Sequence, residues 1–218
     1  MRRLSRLLDD NRAWADRMRQ HDPAFFHKLA TPRPPEYFWI GCAENAMPDS
    51  AMPGMGAGGP ICFDTLGNVV ADADMSCLAA IQYAVELRDV KHLVVCGHYG
   101  CYAVKAALVG ERLGFADARL GSIVEVRDRH AEALGELATT RERWDRLCEL
   151  NVIEQAMRLG RTPVVRAAWE KEREVVIHGW IYNPRNGILR NLGPTLSRLE
   201  DAACAYRQAL SRSTAHFR

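Results

Sequence analysis

Three residues in this chain have the types and the placement to hold a soft metal ion. Cys42 closes the apolar run YFWIGC at residues 37–42, and the run HLVVCGHYGC at residues 92–101 ends in His98 and Cys101. Two thiolates and an imidazole are ligands that zinc favours, and in tetrahedral geometry they leave one corner open. That corner decides the chemistry. Filled by a protein side chain, the site is structural; open, it binds and activates water. An H-x-x-C spacing alone says little. A lone cysteine usually packs as a small apolar group, which is the reading of Cys77, Cys96, Cys148 and Cys204, and His21, His27, His130 and His216 read as ordinary hydrogen-bonded histidines. Cys42, His98 and Cys101 stand apart because all three fall at the ends of expected strands.

The elements that must position them follow from the pattern. Leu4, Leu7, Leu8, Trp14 and Met18 recur at helical spacing, so the first twenty residues read as an amphipathic helix. Asp22-Pro23 reads as the cap and first position of a short helix through Phe25, Phe26 and Leu29. TPRPPE is extended, since proline disfavours helix in the residue before it. After the strand to Cys42, residues 43–60 form a loop rich in Gly, Pro and Ala, and residues 61–65 a second strand. Asp74 caps a helix carrying Leu78, Ile81, Tyr83, Val85 and Leu87; a strand at 93–96 precedes the His98 turn and a helix at about 102–109. Helical patterns fill about 119–159, strands are expected at 174–183 and 188–192, and a last helix at about 195–210. Strands alternating with helices predict an α/β fold with a central, largely parallel β-sheet flanked by helices. Ligands in such sheets sit beyond the carboxyl ends of strands, where Cys42, His98 and Cys101 fall.

Composition narrows the function further. A chain of 218 residues with a net charge of +2 and no basic, aromatic-laced cluster predicts no nucleic-acid partner. No stretch reads as a membrane span, and MRRLSRLLDDNRAW lacks the apolar core of a signal peptide. Seven cysteines, an odd number in a chain of this size, fit a reducing, cytoplasmic setting. The expected organisation is one domain over residues 1–218 with an N-terminal helical arm at 1–30.

VKHLVVCGHYGC (90–101), DRLCELNVIEQ (145–155) and VVIHGWIY (175–182), together with NRAWA, DPAFFHKLA, YFWIGC and LAAIQYAV, carry a resemblance to the β-class carbonic anhydrases over about residues 11–210. The resemblance implies the parallel-sheet fold, an arm packed on a neighbouring subunit, and a homodimer or a multiple of dimers. It implies one zinc ion per subunit held by Cys42, His98 and Cys101. It also implies reversible hydration of carbon dioxide to bicarbonate.

The departures from that family cluster at the metal. Where the family has C-S-D-S-R or C-A-D-S-R, this chain has Cys42-Ala43-Glu44-Asn45-Ala46. The family's acid accepts a hydrogen bond from the metal's water and its arginine holds the acid off the metal. Here the acid is Glu44, longer by roughly 1.3 Å, and Ala46 removes the arginine, so Glu44 is expected to lack a tether. The family's H-R-N is Phe63-Asp64-Thr65, its preceding aromatic is Ile61, its pocket glutamine aligns with Arg33, and Tyr102 follows the second cysteine. Ile61, Phe63, Asp64, Thr65, Tyr102 and Ala46 are thus candidate pocket positions, and Glu44, oriented by Arg33, the candidate proton acceptor. Three readings follow. One is a zinc enzyme activating water against carbon dioxide, carbonyl sulfide or carbon disulfide, with ordinary hydration weak. Another is a silent scaffold or regulatory partner whose site Glu44 closes. The third is a zinc enzyme for a larger or anionic substrate.

Overall fold

The computed structural model describes residues 2–31, 34–44, 59–71 and 73–214. Their centre is a five-stranded sheet in the order β2-β1-β3-β4-β5, built from β1 (Tyr37–Cys42), β2 (Ile61–Thr65), β3 (His92–His98), β4 (Val176–Asn183) and β5 (Ile188–Leu196). The first four run parallel, and β5 returns antiparallel on the edge of β4. β1 and β3 are buried along almost their whole length, which explains why they read as unbroken apolar runs rather than alternating ones. The chain leaves β1 towards β2 and then recrosses to β3 on the other side. The carboxyl ends of β1 and β3 therefore flank the point where the strand order reverses, the place where open α/β sheets form a crevice.

Helices complete the layers: α1 (Arg2–His21), α2 (Phe25–Ala30), α3 (Met75–Gln82), α4 (Tyr102–Val109), α5 (Asp117–Arg129), α6 (Ala131–Gly135), α7 (Thr140–Arg161), α8 (Pro163–Glu170) and α9 (Ala202–Thr214). α1 packs on α2 through Trp14, Phe25 and Phe26, whose rings meet edge to face. α7 is the central helix. It lies against β3, β4, β5, α4, α5, α8 and α9 and is buried on nearly all sides from Asp145 onward. A helix enclosed in this way must satisfy its own polar groups. Asn151 donates to the Gly67 carbonyl at 2.7 Å, and Gln155 accepts from the Val70 N–H at 3.0 Å, so α7 grips the segment that follows β2.

Local chemistry departs from the sequence reading at several places. Asp74 caps α3 as expected, accepting from the Ser76 N–H at 3.0 Å. Asp22 instead closes a turn by accepting from the Ala24 N–H at 3.0 Å, and α2 begins only at Phe25. α8, for which the sequence reading assigned no element, starts with Pro163 in its first turn. β5 runs through Gly193 and Pro194 rather than stopping before them, and α9 starts later than its pattern suggested. Gly193 takes a positive φ of 106°, and Pro194 lies over Gly179, where a Cβ would meet its ring at 2.6 Å. Proline is tolerated there because β5 is an edge strand. Cys204 is exposed on α9 rather than buried, while Cys77, Cys96 and Cys148 are buried.

Candidate metal centre

The three expected ligands converge. Cys42 ends β1, His98 ends β3, and Cys101 is the residue that starts α4. The Cys42 and Cys101 sulfurs are 3.7 Å apart, matching the edge of about 3.8 Å for two sulfurs bound tetrahedrally to zinc. Ligand atoms of Cys42, Glu44, His98 and Cys101 all lie within 4.8 Å of one another. His98 Nδ1 is 3.1 Å from the Tyr99 carbonyl, which can only accept, so Nδ1 carries the proton and Nε2 the lone pair. That Nε2 is buried with no hydrogen-bond partner. A buried polar atom without a partner is costly, and here it points into a pair of sulfurs. The Cys101 thiol, donating to Cys42, holds the Cys42 thiol below its usual range, with His98 assisting against the cost of burial. Burial opposes a charge on His98, but the neighbouring Cys42 outweighs it and raises the imidazole. Two thiols, one already favoured as thiolate, and an orphaned imidazole nitrogen make a donor set that fits zinc.

Glu44 is not untethered. Its Oε2 accepts from the Tyr102 N–H and its Oε1 from the Ala103 N–H, each at 3.0 Å. These are unsatisfied donors of the first turn of α4, and a carboxylate suits the positive end of a helix. Thus backbone amides hold the acid for which the sequence provides no arginine at position 46. Sequence reasoning missed this because every non-proline residue carries an N–H. The carboxylate stays close to the ligands, with Oε1 at 3.5 Å from the Cys101 sulfur and Oε2 at 3.8 Å from His98 Nε2.

A second layer fixes the turn from His98 to Cys101. The Tyr99 N–H donates to the Tyr182 carbonyl at 3.0 Å. The Tyr99 hydroxyl is bonded to Glu149, and Arg190 reaches both. Burial and the Glu149 carboxylate push the Tyr99 hydroxyl up, keeping it a donor. Trp144 of α7 donates its indole N–H to the Cys101 carbonyl at 2.9 Å. Of these residues only Glu149 carried a sequence signal, a charged side chain set among apolar ones in the helical pattern DRLCELNVIEQ.

A family model described as carbonic anhydrase matches residues 37–189. A carbonic anhydrase of Emericella nidulans is 38% identical over 187 residues, covering 86% of this chain and 82% of that protein. The chain belongs to the β-carbonic anhydrase family. A solved β-carbonic anhydrase from Coccomyxa, in complex with acetazolamide, superposes with a TM-score of 0.84 at 33% identity, covering 97% of this chain and 98% of that one. Another, one of two tetrameric β-carbonic anhydrases from Sordaria macrospora, gives 0.82 at 34% identity, covering 90% of this chain and 100% of that one. The positions expected to line the pocket are not all gathered at the metal. Ile61 and Phe63 pack on the core that contains Phe38 and Ile40. Thr65 is buried beside its register partner Cys42, and Asp64 lies over Gly41. The Tyr102 side chain is exposed and its hydroxyl donates to Glu111 at 2.6 Å. Arg33 and Ala46 lie outside the described residues.

Proposed function

We propose that this β-carbonic anhydrase homologue binds one zinc ion per subunit through Cys42, His98 and Cys101 and uses it to hydrate carbon dioxide. The observation that carries the reading is the orphaned His98 Nε2 beside two sulfurs at tetrahedral spacing. Zinc held there would supply a water of lowered pKa, about 7 in favourable sites, able to attack carbon dioxide. The chain's own residues do the rest. Glu44 sits where it can accept a proton, and the amides of Tyr102 and Ala103 orient it without a cationic side chain. Tyr99, through its carbonyl, fixes the imidazole tautomer that leaves Nε2 free for a metal. Arg33, expected from the sequence as a cation for Glu44, lies outside the described residues.

Hydration in this reading is weaker than in relatives, because Ala46 supplies nothing to draw the carboxylate away from the ligands. Metal analysis and stopped-flow hydration of the zinc-loaded protein test it. One zinc per chain with slow but measurable hydration is expected; an ordered, metal-free protein would overturn the metal assignment, and hydration at ordinary family rates would overturn the claim of weakness.

One observation favours a second reading, a site closed by Glu44. Its Oε1 lies 3.5 Å from the Cys101 sulfur, the edge of about 3.5 Å expected for sulfur and oxygen ligands of one tetrahedral zinc. Closure predicts no hydration and a cobalt-substituted spectrum indifferent to azide. In either case the assembly is a homodimer or larger. Leu7, Leu8 and Leu29 remain exposed along α1 and α2, apolar surface that a neighbouring subunit would cover. Light scattering should show a dimer or larger at micromolar concentration.

A further inference from the structure

We propose that Trp144 is a positioning residue for the metal-binding turn, acting through the Cys101 carbonyl; the inference rests on the zinc reading above. That carbonyl accepts two hydrogen bonds. One comes from the Lys105 N–H at 3.1 Å and closes the first turn of α4. The other comes from the Trp144 indole at 2.9 Å and ties the same atom to α7. Cys101 is therefore both a sulfur ligand and the hinge from which α4 departs. The next two amides of α4 hold Glu44. One indole N–H thus sets the direction of the Cys101 side chain and of the helix end that fixes the carboxylate. The ring is itself held between two cations, with the Arg141 guanidinium 5.1 Å and the Lys105 ammonium 5.4 Å from its centre. Lys105 belongs to α4 and Arg141 to α7, so this contact also joins the two helices.

A purely structural tryptophan would affect folding alone. Trp169 provides that comparison: its indole donates to the Val175 carbonyl at 2.8 Å, on α8 and away from the metal ligands. In Trp144→Phe the ring remains and the Cys101 carbonyl keeps its Lys105 bond, so no buried acceptor is stripped bare. Zinc affinity, read by chelator competition, should fall about 10-fold, as for other outer partners of metal ligands. The thiolate-to-cobalt bands of the cobalt-substituted protein should shift. Trp169→Phe should lower the thermal midpoint while leaving zinc affinity within about twofold, as expected of a distant site. If Trp144→Phe fails to fold, benzothienylalanine at position 144 removes the N–H while keeping the shape, with the same result expected. Unchanged affinity and cobalt spectrum on loss of the N–H overturn this inference alone. A wild-type chain that takes up neither metal overturns the zinc reading and this one together.

Discussion

Two histidine–carboxylate pairs lie among the described residues, and only one has chemistry left to do. At the far side of α7, Glu154 meets His130 at 3.2 Å, Arg129 at 2.6 Å and the Tyr206 hydroxyl at 2.6 Å. His130 Nε2 is also 3.1 Å from that hydroxyl, so Nε2, the hydroxyl and both carboxylate oxygens all have partners. Burial opposes ionisation of Glu154, yet His130, Tyr206 and Arg129 overcome it and hold the carboxyl at about 2. At the candidate metal centre, His98 Nε2 has no hydrogen-bond partner, and the Glu44 side chain keeps 28% of its surface exposed against 4% for Glu154. Residue types alone do not separate the pairs. Saturation does: the closed pair clamps α9 to α7, while the open one keeps a lone pair and a water-accessible acid.

The sharpest test of that contrast is one substitution at each of the two sites. Cys101→Ser should abolish stoichiometric zinc and lower thermal stability, because metal binding is coupled to folding. His130→Gln should leave zinc content unchanged, as read by elemental analysis. Equal zinc loss in both would erase the distinction.

The next effect is on acid stability. The folded Glu154 carboxyl sits near 2 against a usual 4.5. Its contribution is therefore complete above that usual value and disappears as the pH falls through about 2. It amounts to something on the order of 3 kcal/mol. Urea midpoints of wild type and Glu154→Gln should accordingly draw together as the pH falls from about 4.5 towards 2, with no matching change in zinc content. Smaller again is Tyr206→Phe, which deletes one hydrogen bond to a buried carboxylate and should cost about 1.5–3 kcal/mol in denaturant titration with normal metal content.

The smallest expected change concerns the open pair. Glu44→Asp with Ala46→Arg rebuilds the family dyad and should raise hydration about 10-fold, with either single change doing less. Should Asp64 capture the new arginine, adding Asp64→Arg recovers the gain. No gain from any combination would mean that the amides of α4 already do what the arginine does elsewhere.

Much of this was legible in the residues. Cys42, His98 and Cys101 could be read because thiols and imidazoles are scarce and their strand ends are marked by apolar runs. The parallel sheet could be read from the same runs. Other features depend on atoms that every residue has, or on contacts between distant segments. The hold on Glu44 is made of backbone N–H groups, and the hold on Cys101 comes from Trp144, 43 positions along the chain. Pro194 reads locally as a strand breaker, and only its place on the sheet edge allows β5 to continue past it. Cys204 shows the reverse failure: its type suggested burial, but its face of α9 looks outward.

The burial of α7 has a consequence in time. Its amides lie beneath α4, α5, α8, α9 and the sheet, and its Asn151 and Gln155 grip the segment after β2. No partial opening frees those amides without dismantling the layers around them, so their hydrogen exchange should require global unfolding. The amides of α1, a helix exposed along most of its length from Arg6 onward, need only local fraying. In deuterated water the label should therefore enter the arm first and the helix that carries Trp144 and Glu149 last, making the support of the metal turn the slowest clock in the molecule.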